Sequence, residues 1–441
     1  MEKNLADLVK QAGIVGAGGA GFPTHVKLDA KVDTVIVNGA ECEPLLRVDQ
    51  QLMALWAERL LKALQLVVDY TQAKEGVVAL KKKYHRAEAS LQAAVAAYPN
   101  LRLHFLDNFY PAGDEQVTVY EVTGRIVPEG GIPLQAGVVA INVETLLNVL
   151  DAVEKGLPVT EKYVTVTGAV NQPKTVRVPL GIRLRDVIDL AGGASVSHFV
   201  IINGGPMMGK IAGLDDPVTK TTKGLILLPG DHGLIKSLNK DMEHMLREAR
   251  TACMHCSHCS EACPRGLLGH RIEPHKLIRA ASYGGFCDEK TGMENAFLCS
   301  GCRLCEYACV MNLQPWKLNQ YFKGELAGAG VKNTLNRRPE KADRFREYKK
   351  YPVHKLTHLL GLAKYDLPAP LEIKEYSFTG VLLPLKQHTG APSVPVVKEG
   401  DRVKKGDLLA AVPEGKLGSA LHASIEGTVT KITGEAVEIQ A

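Results

Sequence analysis

Eight cysteines in two matching runs carry the clearest chemistry in this chain. Cys253, Cys256, Cys259 and Cys263 stand as C-x₂-C-x₂-C-x₃-C with Pro264 behind them; Cys299, Cys302, Cys305 and Cys309 repeat the spacing, with Val310 in the proline's place. Thiolates at this spacing suit [4Fe–4S] clusters, in which three cysteines of one run cap a cube and the fourth reaches the neighbouring cube. The expected ligand sets are Cys253, Cys256, Cys259 and Cys309 for one cluster, and Cys299, Cys302, Cys305 and Cys263 for the other. Paired C-x₂-C motifs also serve zinc, but two identical four-cysteine runs are not a usual zinc layout. Disulfides need an oxidising compartment, and the charged, polar start Met1–Lys10 has no apolar segment of a secretory leader. Only Cys42 and Cys287 lie outside the runs. The chemistry expected is the carriage of single electrons.

A second signature lies near the N-terminus, where Gly13–Gly21 reads GIVGAGGAG and runs into Phe22-Pro23-Thr24. Glycines at 16, 18, 19 and 21 let the backbone approach a phosphate or a flat ring closely. The dinucleotide fingerprint of a Rossmann unit is disfavoured, because that loop follows a strand and opens a helix. Here the loop follows an amphipathic helix over residues 3–12, and Phe22-Pro23 blocks immediate helix continuation. Tight packing alone is the bland alternative for such a loop. Three polar segments follow it: Asn38-Gly39-Ala40-Glu41-Cys42-Glu43-Pro44, Tyr110-Pro111-Ala112-Gly113-Asp114-Glu115 and Ile141-Asn142-Val143-Glu144-Thr145-Leu146.

The elements that must position these residues divide by texture. At 441 residues the chain exceeds one core, and length suggests about three domains. Asp33–Asn38, Gly76–Leu80 and Leu101–Leu106 read as buried strands, with helices over Asp49–Tyr70 and Lys81–Ala97, giving an α/β unit. YVTVTG and KTVRVPLG around Asn171-Gln172-Pro173 read as paired strands, followed by a helix over Leu184–Ala191 and a strand over Phe199–Asn203. That order suggests a β-grasp-like module, with Met207 and Met208 as packing residues. A helix over Lys240–Ala252 leads into the cysteines. Leu326–Ile373 has the scattered Gly, Pro and charge of a linker, and VKEGDRVKKGD opens a compact β-sandwich pattern. Net charge is only +5, from 53 bases and 48 acids. The basic stretch Arg337–Lys355 is diluted by Glu340, Asp343 and Glu347, so a solvated linker is expected there and no nucleic-acid surface. No run of about 20 apolar residues is present to span a membrane; Ala136–Val153 is broken by Asn142, Glu144, Asn148 and Asp151.

The glycine loop and its three polar segments, in this order, resemble the flavin- and NADH-binding subunit of respiratory complex I (the 51 kDa type). That resemblance implies that Gly16, Gly18, Gly19 and Gly21 lie against FMN, with Asn38, Glu41, Gly113 and Asn142 as polar contacts. Lys27 would reach both flavin and nicotinamide nucleotide, Phe22 would stack on the nucleotide, and Glu43 would hold it; Glu115 completes the cofactor-binding set. Ala40, Ile141, Ala17 and Ala30 depart from the pattern, standing where the relatives have an aspartate, an asparagine, an arginine and a second stacking aromatic. A flavin suits the cysteine runs, since it takes a hydride's two electrons together and releases them singly.

With the β-grasp module (similar to the soluble-ligand-binding β-grasp, SLBB, type) and the dicluster region, the chain also resembles the RnfC family of electron-transport proteins. The sandwich pattern lies here at the C-terminal end instead of the N-terminal end. That permuted order, with INGGPMMG and DPVTKTT, resembles the cobalamin reductases of propanediol-utilisation microcompartments. The fold class expected is multidomain α/β and α+β: a complex I-like FMN/NADH domain over 1–157, an SLBB-like β-grasp module and connection over 158–239, a ferredoxin-like dicluster helical domain over 240–330, a linker over 331–375 and a barrel-sandwich domain over 376–441. The family implies NADH as donor, FMN and two [4Fe–4S] clusters as carriers, and cobalamin as substrate, in support of a diol dehydratase. Its implied partners are a cobalamin-handling enzyme and a microcompartment shell protein, in the cytoplasm, with oligomeric state open. No D-x-H-x-x-G cobalamin motif is present; Asp231-His232-Gly233 does not fit it. The alternatives are an Rnf-type electron-transport subunit or a relay that receives electrons from a partner.

Overall fold

The run TVIVNG at Thr34–Gly39 is β-branched and buried almost throughout, as suits a strand covered on both faces of a parallel sheet. It is β1, and it is followed by β2 (Glu75–Lys81), β3 (Leu101–Leu106), the short β4 (Phe109–Tyr110) and β5 (Val138–Asn142). The sheet order is β3-β2-β1-β5, all parallel. The chain therefore winds outward from β1 to β3 and then returns to the other side of β1. In open α/β sheets such a reversal opens a crevice beyond the carboxyl ends of the strands. Asn38 and Asn142 are register partners at that end of β1 and β5. The structure, a computed structural model of the chain, describes residues 4–282 and 291–441; Cys287 lies outside the described residues.

Two helices differ from the sequence expectation. The long helix expected over Asp49–Tyr70 is two helices, Val48–Leu55 and Ala57–Thr71, broken at Trp56 (φ −125°, ψ 42°). The Trp56 indole packs edge-on against Tyr163 of the next module, centroids 5.6 Å apart, a contact that periodicity does not reveal. The helix expected from Lys81 begins at His85, because Lys81 stays in β2.

The β-grasp module comprises β6 (Glu161–Gly168), β7 (Lys174–Pro179), a helix at Leu184–Leu190, β8 (Phe199–Asn203), β9 (Lys210–Ala212) and β10 (Gly224–Pro229). Met207 is fully buried, but Met208 is exposed, so only the first is a packing residue. The stretch expected as a solvated linker folds back over the molecule. Its β11 (Tyr351–Pro352) pairs with β4, a helix covers Val353–Leu359, and β12 (Leu371–Glu372) adds an edge strand to β7. The six-stranded order is β12-β7-β6-β10-β8-β9. Its charges are also paired: Arg337 with Glu129 at 2.6 Å, and the buried Arg346 and Lys350 with Glu121 at 2.5 and 3.0 Å. Mixed charge reads alike in sequence whether solvated or matched to acids on another element.

Helices Met242–Ala252, Pro274–Ser282 and Pro315–Gly328 carry the cysteine region around a core of Met245, Ala249, Ile278, Leu318 and Phe322. The C-terminal unit has two small sheets. One is ordered β13-β19-β18-β15, from Gly380–Pro384, Ala436–Gln440, Gly427–Ile432 and Arg402–Val403; the other is β14-β16-β17, from Val394–Pro395, Leu408–Ala411 and Leu421–His422. Lys416 stands exposed in the connection between β16 and β17 of the second sheet. No helix among the described residues is long and apolar enough to cross a membrane.

Candidate flavin and iron–sulfur sites

The glycine loop closes on itself: Gly16 N–H donates to Phe22 O at 2.9 Å and Gly21 N–H to Gly16 O at 3.2 Å. It lies over the sheet's reversal point, since a Cβ on Gly18 would stand 3.6 Å from Asn142 Nδ2. Gly19 has φ +116°, with nothing within 4 Å of where its Cβ would be. This exposed, side-chain-free surface above the paired Asn38 and Asn142 fits a flat ring. A Cβ at Gly113 would meet Cys42 Sγ at 3.1 Å, Ala40 at 3.4 Å and Asn38 Oδ1 at 3.7 Å. Asn38 Nδ2 donates to Gly113 O at 2.9 Å, so two of the expected segments are bonded to each other. Lys27 pairs with Glu115 and donates to Ala140 O at 3.0 Å, with its ammonium 5.9 Å from the Phe22 ring centre. Gly16, Gly18, Asn38, Gly113 and Asn142 thus gather at the strand ends, and Phe22, Lys27 and Glu115 form a second group.

Beneath them lies a buried charge network that the sequence reading did not single out. Glu41, at φ 34°, accepts Asp49 N–H at 2.9 Å and Gln50 N–H at 3.3 Å, capping the helix Val48–Leu55. Burial, and then Asp49, push its carboxyl above the usual range. Asp49 accepts from Asn142 Nδ2 at 2.8 Å and pairs with Lys223 at 2.5 Å. Lys162 is paired with Glu144 and donates to Ala17 O at 3.1 Å, and Thr145 Oγ1 accepts Ala17 N–H at 2.8 Å. Removing one partner of such a buried pair costs about 3–5 kcal/mol, because the other charge is left uncompensated. From the C-terminal unit, Thr389 donates through N–H to Gly21 O at 2.9 Å and through Oγ1 to Ala20 O at 3.0 Å. Lys220 bridges Gly13 O at 2.7 Å and Ala420 O at 2.6 Å, and burial pulls its ammonium down to about 7. Glu41, Asn142, Glu144 and Thr145 stood in the polar segments quoted above and Lys220 in DPVTKTT, but nothing in the sequence paired them with Asp49, Lys162 or Lys223.

The cysteine runs share one backbone design. Left-handed residues fall at the same positions of both: His255 and Gly301 (φ 58° and 73°), then Ser257 and Arg303 (φ 62° and 63°). Such turns aim successive N–H groups into a concavity, a recurrent holder of anionic clusters. The cysteines fall into two neighbourhoods. Burial lifts the Cys259 thiol to about 12, followed by the influence of Cys309, Cys253 and Cys256. Cys263 is lifted to about 11, first by burial and also by Cys299, while Cys305 is lifted by burial and then by Cys299, Cys302, Cys263 and, last, Cys259. Cys309 thus lies close enough to Cys259 of the first run, and Cys263 to Cys299 of the second, to influence them. Among the described residues, no three His, Cys, Asp or Glu side chains gather closely enough for a single metal ion.

The second run is joined to the flavin domain. Tyr110 donates through its hydroxyl to Cys302 O at 3.0 Å, and both residues share a core with Leu45, Met207 and Ile226. Arg265, beside the second neighbourhood, pairs at 2.5 Å with Asp114, the N-cap of the helix Glu115–Thr123. Arg303 is buried, donates to Pro206 O and Met207 O at 3.1 and 3.0 Å, and lies 4.8 Å from the Trp316 ring centre. Glu43 is engaged here by the β-grasp module: its Oε2 accepts Met207 N–H at 2.8 Å, while Oε1 is shut off from solvent and makes no hydrogen bond among the described residues. Burial pushes its carboxyl up to about 7, against the lowering influence of Met207 N–H and Arg303.

Comparison with known proteins matches these parts in order. Residues 9–151 match the Nuo51 FMN-binding domain, 163–210 the SLBB domain, 252–314 a 4Fe-4S dicluster domain and 368–441 the RnfC barrel sandwich hybrid domain. The molecule is thus of the iron–sulfur flavoprotein class that combines an FMN-binding domain with a dicluster domain. Cobalamin reductase PduS of Citrobacter freundii is 45% identical over 439 residues, 99% of this chain and 96% of that protein; PduS of Salmonella typhimurium is 45% identical over 438 residues, with the same coverage. A component of the Na⁺-translocating ferredoxin:NAD⁺ oxidoreductase complex of Acetobacterium woodii is 36% identical over 266 residues, 59% of this chain and 57% of that one. The chain belongs to the PduS cobalamin reductase family.

Proposed function

We propose that this chain is an NADH-dependent flavin and iron–sulfur oxidoreductase that reduces cobalamin, working in the cytoplasm inside or against a bacterial microcompartment. The observation that carries the reading is the seating of the cysteine region on the flavin domain, the second run through Tyr110 and the end of the first through Arg265. The cobalamin substrate follows from the name of the near-full-length relatives. FMN, when bound, supplies the conversion of a hydride's electron pair into single electrons. Gly16, Gly18, Gly19 and Gly21 give it backbone contact, and Asn38, Glu41, Gly113 and Asn142 hold and orient it. Phe22, Lys27 and Glu115 receive the nicotinamide nucleotide beside it. Cys263, Cys299, Cys302 and Cys305 hold the cluster nearer the flavin, and Cys253, Cys256, Cys259 and Cys309 the one nearer solvent.

A relay that takes its electrons from a partner protein, as an Rnf-type subunit would, is favoured by one feature. Ala40 is fully buried beside Gly113, leaving no carboxylate where the flavin-subunit pattern has one. One experiment separates the two readings. The chain is reconstituted anaerobically with iron, sulfide and FMN, NADH is added, and flavin, cluster and cobalamin absorbances are followed. Bleaching of flavin and clusters followed by cobalamin reduction is expected. Full clusters that stay oxidised with NADH, in a chain that retains no flavin, would establish the relay.

A further inference from the structure

Asp49 is where the β-grasp module reaches the floor of the flavin site. Its N–H donates to Glu41 Oε1 at 2.9 Å, its Oδ2 accepts from Asn142 Nδ2 at 2.8 Å, and its Oδ1 pairs with Lys223 Nζ at 2.5 Å. Asp49 is 2% exposed and Lys223 6%. Asn142 has its other end fixed too, since Oδ1 accepts Glu144 N–H at 3.0 Å. The Asp49 carboxylate therefore sets Asn142, one of the residues assigned to FMN, while the backbone N–H of the same residue holds Glu41, and a single cation from another module balances the carboxylate.

We propose that Lys223 is a positioning residue of the flavin site: it holds the Asp49 carboxylate in place, and through that carboxylate it fixes Asn142 beneath the glycine loop. The inference rests on the reading that FMN occupies that loop. An Asp49 rotated away would no longer hold the Asn142 amide, and a misplaced donor costs affinity without any lost direct contact. The charged groups acting on Lys223 are Asp49, Glu41 and Glu144; burial alone would lower its ammonium, but these acids outweigh it and hold it above the usual lysine value. Lys162, paired with Glu144, is the neighbouring cation. The β-grasp module is on this reading a working part of the flavin site, reaching under it from a different fold unit.

The test uses the full chain with its clusters reconstituted and flavin removed, titrated with FMN, followed by measurement of the bound flavin's midpoint potential. Lys223→Met removes the cation, and Asp49→Asn keeps the shape and removes the ion pair, so a folding failure of one leaves the other. Each folded variant is expected to raise the FMN Kd about tenfold, the factor carried by one charge-assisted hydrogen bond. Lys223→Met is also expected to lower the flavin potential, because a buried positive charge that favours the reduced form is gone. Unchanged affinity and potential in a folded variant with parental iron content would overturn the positioning role alone. A parent chain that binds no FMN would overturn it together with the proposed function.

Discussion

The two cysteine runs have one spacing, one pattern of left-handed turns and opposite surroundings. Around the first, Met254, His255, Cys256 and His258 are exposed. The matching stretch of the second has Cys302, Arg303 and Leu304 buried between the flavin domain, the β-grasp module and the helix Pro315–Gly328. Identical ligand chemistry is thus mounted once as a solvent-facing loop and once as an internal joint. The two runs thus differ in exposure, although the end of the first is also tied to the flavin domain, through Arg265 and Asp114.

The largest effect expected from breaking this asymmetry is at the cysteines. Cys256→Ser and Cys302→Ser should each remove about four of eight irons. Cys302→Ser should also loosen the joint with Tyr110, and iron analysis with thermal unfolding would show whether the two lesions differ. Next comes the matched pair Ser257 and Arg303. Arg303→Met strands the Pro206 and Met207 carbonyls and should destabilise by about 2–3 kcal/mol, whereas Ser257→Ala should stay within about 0.5 kcal/mol. Denaturant midpoints on reconstituted protein would check both, and equal costs would refute the contrast. The smallest effect is at Glu43, on the buried side only. Its folded carboxyl titrates near 7 against an ordinary 4.5, so the folded state binds the extra proton between those values. Stability should accordingly fall as pH rises from about 4.5 to 7 and level off above, since there the native state holds more protons than the unfolded one. Glu43→Gln should flatten that slope, and a slope unaltered in the variant would count against a buried Glu43.

Much of the chemistry was legible because it depends on local spacing. The cysteine runs are read from intervals of two and three residues, and the glycine loop from residues that alone tolerate close backbone approach. The short strands were legible from period and composition. The break at Trp56 was not, and the ring it packs against, Tyr163, lies over a hundred positions away. The apparent linker was misread for a similar reason: β11 and β12 are strands only through their partners β4 and β7. Glu43 matched a nucleotide-binding pattern, yet its carboxylate is taken by the Met207 N–H.

The sequence by itself determined the kinds of carrier this protein is built for, because ligand type and interval are written along the chain. Only the tertiary structure decided which run faces the flavin domain, which lysine crosses to Asp49, and how the sheet's reversal point lies under the glycines. Those outcomes depend on burial and on pairing between distant segments, where a charge is tolerated only if a partner from elsewhere in the chain arrives to meet it.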